Sequence, residues 1–206
     1  MGHETELKLS LPADQVETLK KHPFWQQYAS KPECFYLGNT YFDTPDGALN
    51  QAQVALRIRE KNGQYWQTLK TKGESINGLT RRGEREWPIG SSVLDIDGLL
   101  NIWPEHLPAV DFQLLEPLFS TNFERMRWKI EWLQPGARIE AALDIGQIVA
   151  GSQSSPICEL ELELLEGDEL ALSKVAEYLK KDIKLEPSDK SKAERGFEVL
   201  AYVNRV

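Results

Sequence analysis

Sulfur and imidazole are scarce in this chain: two cysteines, two methionines and three histidines among 206 residues. Cys34 and Cys158 by themselves make no zinc site and read most simply as reduced thiols, with a single disulfide left open. His3, His22 and His106 have no metal-ligand spacing. No run of apolar residues approaches the ~18 needed for a membrane-spanning helix. The opening MGHETELKLS has no apolar core of the kind a secretory signal carries, so a cytosolic location is expected. A basic excess is missing as well. The net charge of −8 argues against a general nucleic-acid binder, although a local anion site needs only local bases. There is no glycine-rich loop of the P-loop type, no tandem repeat and no low-complexity tract.

What is present suits one globular domain over residues 1–206, 41% hydrophobic and 27% charged, with no convincing linker. Alternation and β-branched or aromatic content predict strands over 3–10, 35–43, 54–61, 64–72, 82–89, 123–132, 137–150 and 156–165. Turn signals fall at Thr44-Pro45-Asp46-Gly47, Asn62-Gly63 and Pro135-Gly136, and the second of these predicts a hairpin. Helical spacing covers 12–29, 92–101 (starting at Ser92), 169–181 and 190–203, with Pro23 breaking the first. The class is α+β, mostly antiparallel.

The strand faces raise a physical question. Residues 157–168 read ICELELELLEGD, and a strand period of 2 puts Glu159, Glu161 and Glu163 on one face. At roughly 7 Å each repulsion costs about 0.6 kcal/mol in water but about 2.4 kcal/mol at an effective dielectric of 20. Other strands repeat the pattern. Glu4, Glu6 and Lys8 share a face, as do Arg57 and Arg59, Lys70 and Lys72, Arg82, Glu84 and Glu86, Arg125 and Arg127, and Arg138 and Asp144. Either these faces meet water over an apolar sandwich, or the sheet closes with its charges inside and its apolar faces under the helices. Small barrels are ordinarily filled with apolar side chains, so the second arrangement requires a wet lumen and a charged ligand. Three observations favour it. The helical stripes need a surface to cover, and Leu7, Ile58, Trp128 and Leu162 offer one. Acids gather on the first and last strands, and bases on the third, fourth and sixth. Arginine forks suit phosphate oxygens. Alternation alone leaves both arrangements open.

The residues also resemble a known family. ETELK at 4–8 fits the ExExK signature of the CYTH superfamily, the triphosphate tunnel metalloenzymes. The likeness continues in order through YFDTPDGAL (41–49), LRIRE (56–60), TLKTKG (68–73), RGERE (82–86), PLFSTNFERMRW (117–128), IEAALDIGQIVAG (139–151), PICELELELLEGD (156–168) and SKAERGF (191–197). It is strongest to the CYTH domain of bacterial inorganic triphosphatases, in which a helical CHAD domain often lies downstream.

The resemblance implies a closed eight-stranded antiparallel tunnel with a charged lumen and helices packed outside. It also implies Mg²⁺- or Mn²⁺-dependent hydrolysis of inorganic tripolyphosphate, with no nucleic-acid or membrane partner. Arg57, Arg59, Lys70, Arg125 and Arg127 are the leading phosphate ligands, followed by Lys8, Lys72, Arg82 and Arg138. Glu4, Glu6, Asp144, Glu159, Glu161 and Glu163 are the metal candidates, hard oxygen donors whose mutual repulsion a cation would offset. Glu4, Glu6 and Lys8 also count among the catalytic candidates. Glu84 and Glu86 are candidates for positioning the attacking water, and Lys192 for assisting the leaving group. Rival readings on the same fold are a nucleoside or thiamine triphosphatase and a class IV adenylate cyclase. A polyphosphate-binding module without chemistry is a further rival.

Overall fold

The computed structural model describes residues 2–133 and 136–203, so Pro135 of the expected Pro135-Gly136 turn lies outside the described residues. Eight strands carry the alternation: β1 (Gly2–Ser10), β2 (Glu33–Asp43), β3 (Ala55–Lys61), β4 (Gln64–Ile76), β5 (Leu79–Ile89), β6 (Glu116–Leu133), β7 (Gly136–Ala150) and β8 (Gln153–Gly167). Their order is β5-β4-β3-β2-β6-β7-β8-β1, and a further β1–β5 pairing closes the sheet into an antiparallel barrel. β1 makes the closure by splitting its partners. Gly2–Leu7 pairs with β5 and Glu6–Ser10 with β8. A two-residue strand, β9 (Glu186–Pro187), adds to the end of β1 outside the barrel.

Several strand limits differ from the sequence expectation. β6 begins at Glu116 rather than 123, because Pro117 is accommodated at a register shift opposite Tyr41/Phe42, an irregularity that frees it from donating to the ladder. β4 and β5 run on to meet at Asn77-Gly78, whose φ values of 53° and 82° make a hairpin turn like that at Asn62-Gly63.

Helices α1 (Val16–Lys20) and α2 (Pro23–Tyr28) are separated as Pro23 dictates. The His22 imidazole Nδ1 accepts a hydrogen bond from the Phe24 amide in place of a helical carbonyl. The short helix α3 (Ala48–Gln51) follows the Thr44-Pro45-Asp46-Gly47 turn. The buried Asp43 carboxylate caps it, accepting from the Leu49 and Asn50 amides at 2.8 and 2.9 Å. Helix α4 (Ile96–Ile102) starts after Asp95 rather than at Ser92, because Asp95 is the residue whose carboxylate caps the Gly98 amide. Helices α5 (Leu170–Leu179) and α6 (Lys192–Val203) complete the chain.

The apolar half of each strand points outward and is covered. Leu7, Ile58, Trp128 and Leu162 are all buried, and Trp25 of α2 stacks on Trp128 with ring centroids 4.2 Å apart. Leu172, Val175 and Leu179 of α5 join Leu9, Ile139, Leu160 and Leu162 in the largest apolar cluster. Each such fully buried side chain contributes roughly 1.5–3 kcal/mol. The charged faces are therefore left inside.

Helix α6 departs from the expected outer coat. It packs on Leu37, Tyr41, Phe119 and Phe123, residues of β2 and β6 whose register puts them on the lumen side, and so stops one end of the barrel. Gly196 permits the approach, since a methyl group there would overlap the Phe119 ring. Gly196→Ala is expected to cost about 1–3 kcal/mol and to speed amide exchange in α6. Unchanged exchange would remove the contact from the account of how the end is closed.

Candidate active site

The lumen is a cavity of ≈520 Å³ walled largely by charge. It brings together Glu4, Glu6, Lys8, Arg57, Arg59, Lys70, Arg82, Glu84, Glu86, Arg125, Arg127, Glu161, Glu163 and Lys192. Strand period accounts for the grouping of all but Lys192, which α6 supplies, because each set shares parity on its strand and the barrel curves that face inward.

The acids fall into two groups. In the first, Asp144, Glu159 and Glu161 each offer an oxygen, all within 4.8 Å of one another. Asp144 and Glu159 share the inward face but do not line the cavity, and they are 0% and 2% exposed. The Lys192 ammonium sits among the three, 2.7 Å from Asp144, 2.5 Å from Glu159 and 2.9 Å from Glu161. Arg125 grips Asp144 through two 2.7 Å bonds and reaches Glu161 at 2.8 Å. Burial alone would raise the Glu161 carboxyl, but Lys192, Arg125 and Lys8 outweigh it and hold it well below the usual range. A cluster of three carboxylates that already encloses a cation fits a hard divalent ion such as Mg²⁺ or Mn²⁺ in its donor chemistry.

In the second group Glu4 accepts from Lys70 and from Arg82, both at 2.8 Å, and Glu6 accepts from Arg82 at 3.1 Å. Burial would raise Glu4 too, but these two cations pull it far down. Glu6 and Glu163 are directly opposed across β1 and β8. Burial, then repulsion from Glu161, lifts Glu6, while burial and then Glu4 push Glu163 up to about 7. A carboxyl whose folded pKa lies above its unfolded value of 4.5 binds its proton more tightly in the folded chain. Its contribution is whole below about 4.5 and is lost as pH rises through about 7. The metal-free chain should therefore lose stability across that window, and Glu163→Gln should flatten the slope in urea unfolding. Equal slopes in both proteins would contradict the assignment.

Arg57 and Arg59 are different from the other bases. Their nearest carboxylate, that of Glu86, is 4.0 and 3.7 Å away. What they touch instead is neutral: Arg57 donates to Thr68 Oγ1 and Tyr41 OH at 3.4 Å, and Arg59 to Asn39 Oδ1 at 3.0 Å. Burial, and then the charges of Arg57 and Arg125, bring Arg59 down to about 10. Arg127, nearer the open mouth, pairs with Glu33 and with Glu140.

Two expected phosphate ligands do not reach this lumen. A register shift between Lys70 and Gly73 turns Lys72 out of the wall and into a second cavity. Arg138 lies beyond the barrel end, where it pairs with Glu166 at 2.8 Å and is largely exposed. The sequence reading passed over Asn39, Tyr41 and Arg195. Asn39 and Tyr41 share the inward parity of β2, a face that is uncharged between Glu33 and Asp43, so only their spacing signalled them. Arg195 clamps the second oxygen of Glu159 at 3.1 Å and also donates to the Pro156 carbonyl. It lies one helical turn from Lys192, and that spacing was the available signal.

The model of the CYTH domain family matches residues 2–197. The chain belongs to that family. Among curated proteins, the inorganic triphosphatase of Haemophilus influenzae is 36% identical to the CYTH chain over 205 residues, covering 96% of this chain and 55% of that protein. The chain thus spans about half the length of that curated relative. Two solved structures share the CYTH fold. A Hippeastrum protein described with a dominant triphosphatase activity superposes with a TM-score of 0.66 at 23% identity, covering 95% of both chains. A protein of Pyrococcus horikoshii gives 0.57 at 18%, covering 95% of this chain and 98% of that one.

Proposed function

We propose that the chain hydrolyses inorganic tripolyphosphate to diphosphate and phosphate in its lumen, with a divalent metal. The observation that carries this reading is the contrast among the lumen bases. Arg57 and Arg59 share only Glu86, at 4.0 and 3.7 Å, whereas Lys70, Arg82, Arg125 and Lys192 are tightly paired. A buried pair of guanidinium groups that shares one carboxylate at long range keeps donors for phosphate oxygens. The name of the Haemophilus influenzae relative supports the same substrate class.

Arg57 and Arg59 hold one stretch of the phosphate chain, while Asn39, Tyr41 and Thr68 fix the planes of their guanidinium groups. Arg125 and Lys192 exchange part of their carboxylate pairing for phosphate oxygens. Asp144, Glu159 and Glu161, relieved of that pairing, are the residues that would hold Mg²⁺ or Mn²⁺. Bound there, the ion would supply Lewis-acid stabilisation of charge developing on the transferred phosphoryl group. Lys70 and Arg82, oriented by Glu4, offer charge to the far end of the chain. Glu84 and Glu86 line the lumen as acceptors for a water proton.

An organic triphosphate would need a free aromatic face. Phe35 at the mouth does not offer one, because the Lys61 ammonium lies 3.5 Å over its ring. The test is phosphate release from tripolyphosphate, ATP and thiamine triphosphate with Mg²⁺, Mn²⁺ or EDTA. Metal-dependent cleavage is expected to favour tripolyphosphate. Equal or faster cleavage of ATP would shift the reading to nucleotides, with Trp66 of the lumen wall as the stacking candidate. Binding without release would make the lumen a receptor.

A further inference from the structure

Helix α6 stops one end of the lumen. Beside α6, along β3, β4 and β5, lies a second cavity of ≈220 Å³. Lys8, Lys70 and Arg82 line both cavities, so the two share a wall of bases. On the outer side stands Lys72, exposed and without an ion pair among the described residues. The two acids lining this cavity are committed to backbone amides. Asp189 accepts from the Gly78 amide at 2.7 Å, and Glu194 from the Ser191 amide at 2.7 Å. The first turn of α6, a 12-residue helix, lines the same space through Ala193 and Glu194, so the positive end of its dipole adds to the bases.

We infer that this second cavity is an anion site for inorganic phosphate and forms a back exit from the lumen. A single phosphate is compact enough for a space less than half the volume of the lumen. Lys70 and Arg82 are held by Glu4, so Lys8 on the inner side and Lys72 on the outer side supply the freer charge along the passage. Lys72 supplies the outermost charge, which gives a lysine turned out of the lumen a place on a base-lined route for an anion. The inference rests on the proposed triphosphatase reading only for the source of the phosphate.

The test titrates the metal-free chain with sodium phosphate in EDTA and follows backbone amide shifts. Saturable shifts are expected at Thr71, Gly73, Ser75 and Glu194. Lys72→Gln should weaken the Kd about fivefold and Lys72→Glu further, as for loss and reversal of one exposed charge. In turnover assays phosphate should give mixed inhibition against tripolyphosphate, because Lys70 and Arg82 border both cavities, and Lys72→Gln should relieve the non-competitive part by a similar factor. Shifts confined to lumen amides, purely competitive inhibition, or a Kd indifferent to both substitutions would overturn the site. Phosphate bound at these amides by a chain that cleaves no triphosphate would keep the site and sink the catalytic reading, so the two fail separately.

Discussion

Glu161→Gln should lower metal-dependent turnover by about 100-fold or more, as loss of one carboxylate ligand does. The amide keeps the shape of the side chain but offers no net charge to a cation. The fold should survive, because Lys192 retains Asp144 and Glu159, and Arg125 retains both of its 2.7 Å bonds to Asp144. Two measurements separate a binding role from a structural one: Mn²⁺ affinity of the chain without substrate, and kcat for phosphate release. Both should fall together. If Mn²⁺ affinity holds while kcat falls, Glu161 acts through Lys192 and Arg125 and is no metal ligand. If neither moves, the acid cluster is not the metal site.

The largest effect on stability is expected at Asp144, which is wholly buried and paired with both Arg125 and Lys192. Asp144→Asn leaves Arg125 facing an amide at the place of a fork-on-fork ion pair. Breaking a buried pair from one side costs about 3–5 kcal/mol, because the remaining charge stays desolvated. Glu161 offsets part of this by its own contact with Arg125 at 2.8 Å. Urea unfolding of Asp144→Asn, Arg125→Met and the double variant measures the coupling, and the double variant should recover much of the loss. A single-variant cost under about 1 kcal/mol would mean that water reaches the pair as it does a surface bridge.

Much of this arrangement was legible in the alternation of residues. Arg57 with Arg59, Arg125 with Arg127, and Glu159 with Glu161 fall on common faces by period alone, and their strands are where the pattern predicts them. The Asn62-Gly63 turn and the break at Pro23 are equally local, since backbone chemistry within a few residues decides them. Asn39 and Tyr41 were hidden for a related reason: the neutral inward stretch of β2 from Phe35 to Tyr41 looks like any half-buried strand. In the interior they orient the two arginines that lack a close carboxylate.

Which side of the sheet faces inward was beyond alternation, because water and a charged lumen tolerate the same side chains. Closure decides it. β1 pairs with β8 and β5 at once, residues more than 70 positions apart, and no local rule encodes that. Tertiary contact also assigns partners among like charges, giving Glu4 to Lys70 and Arg82 and giving Glu161 to Lys192. It removes Lys72 from the lumen through a single register shift, and it brings α6 into the barrel end with Lys192 and Arg195 on one side. Sequence period fixes the direction of a side chain relative to its own strand. Only packing of distant segments fixes what that side chain meets, and electrostatic roles depend on the meeting.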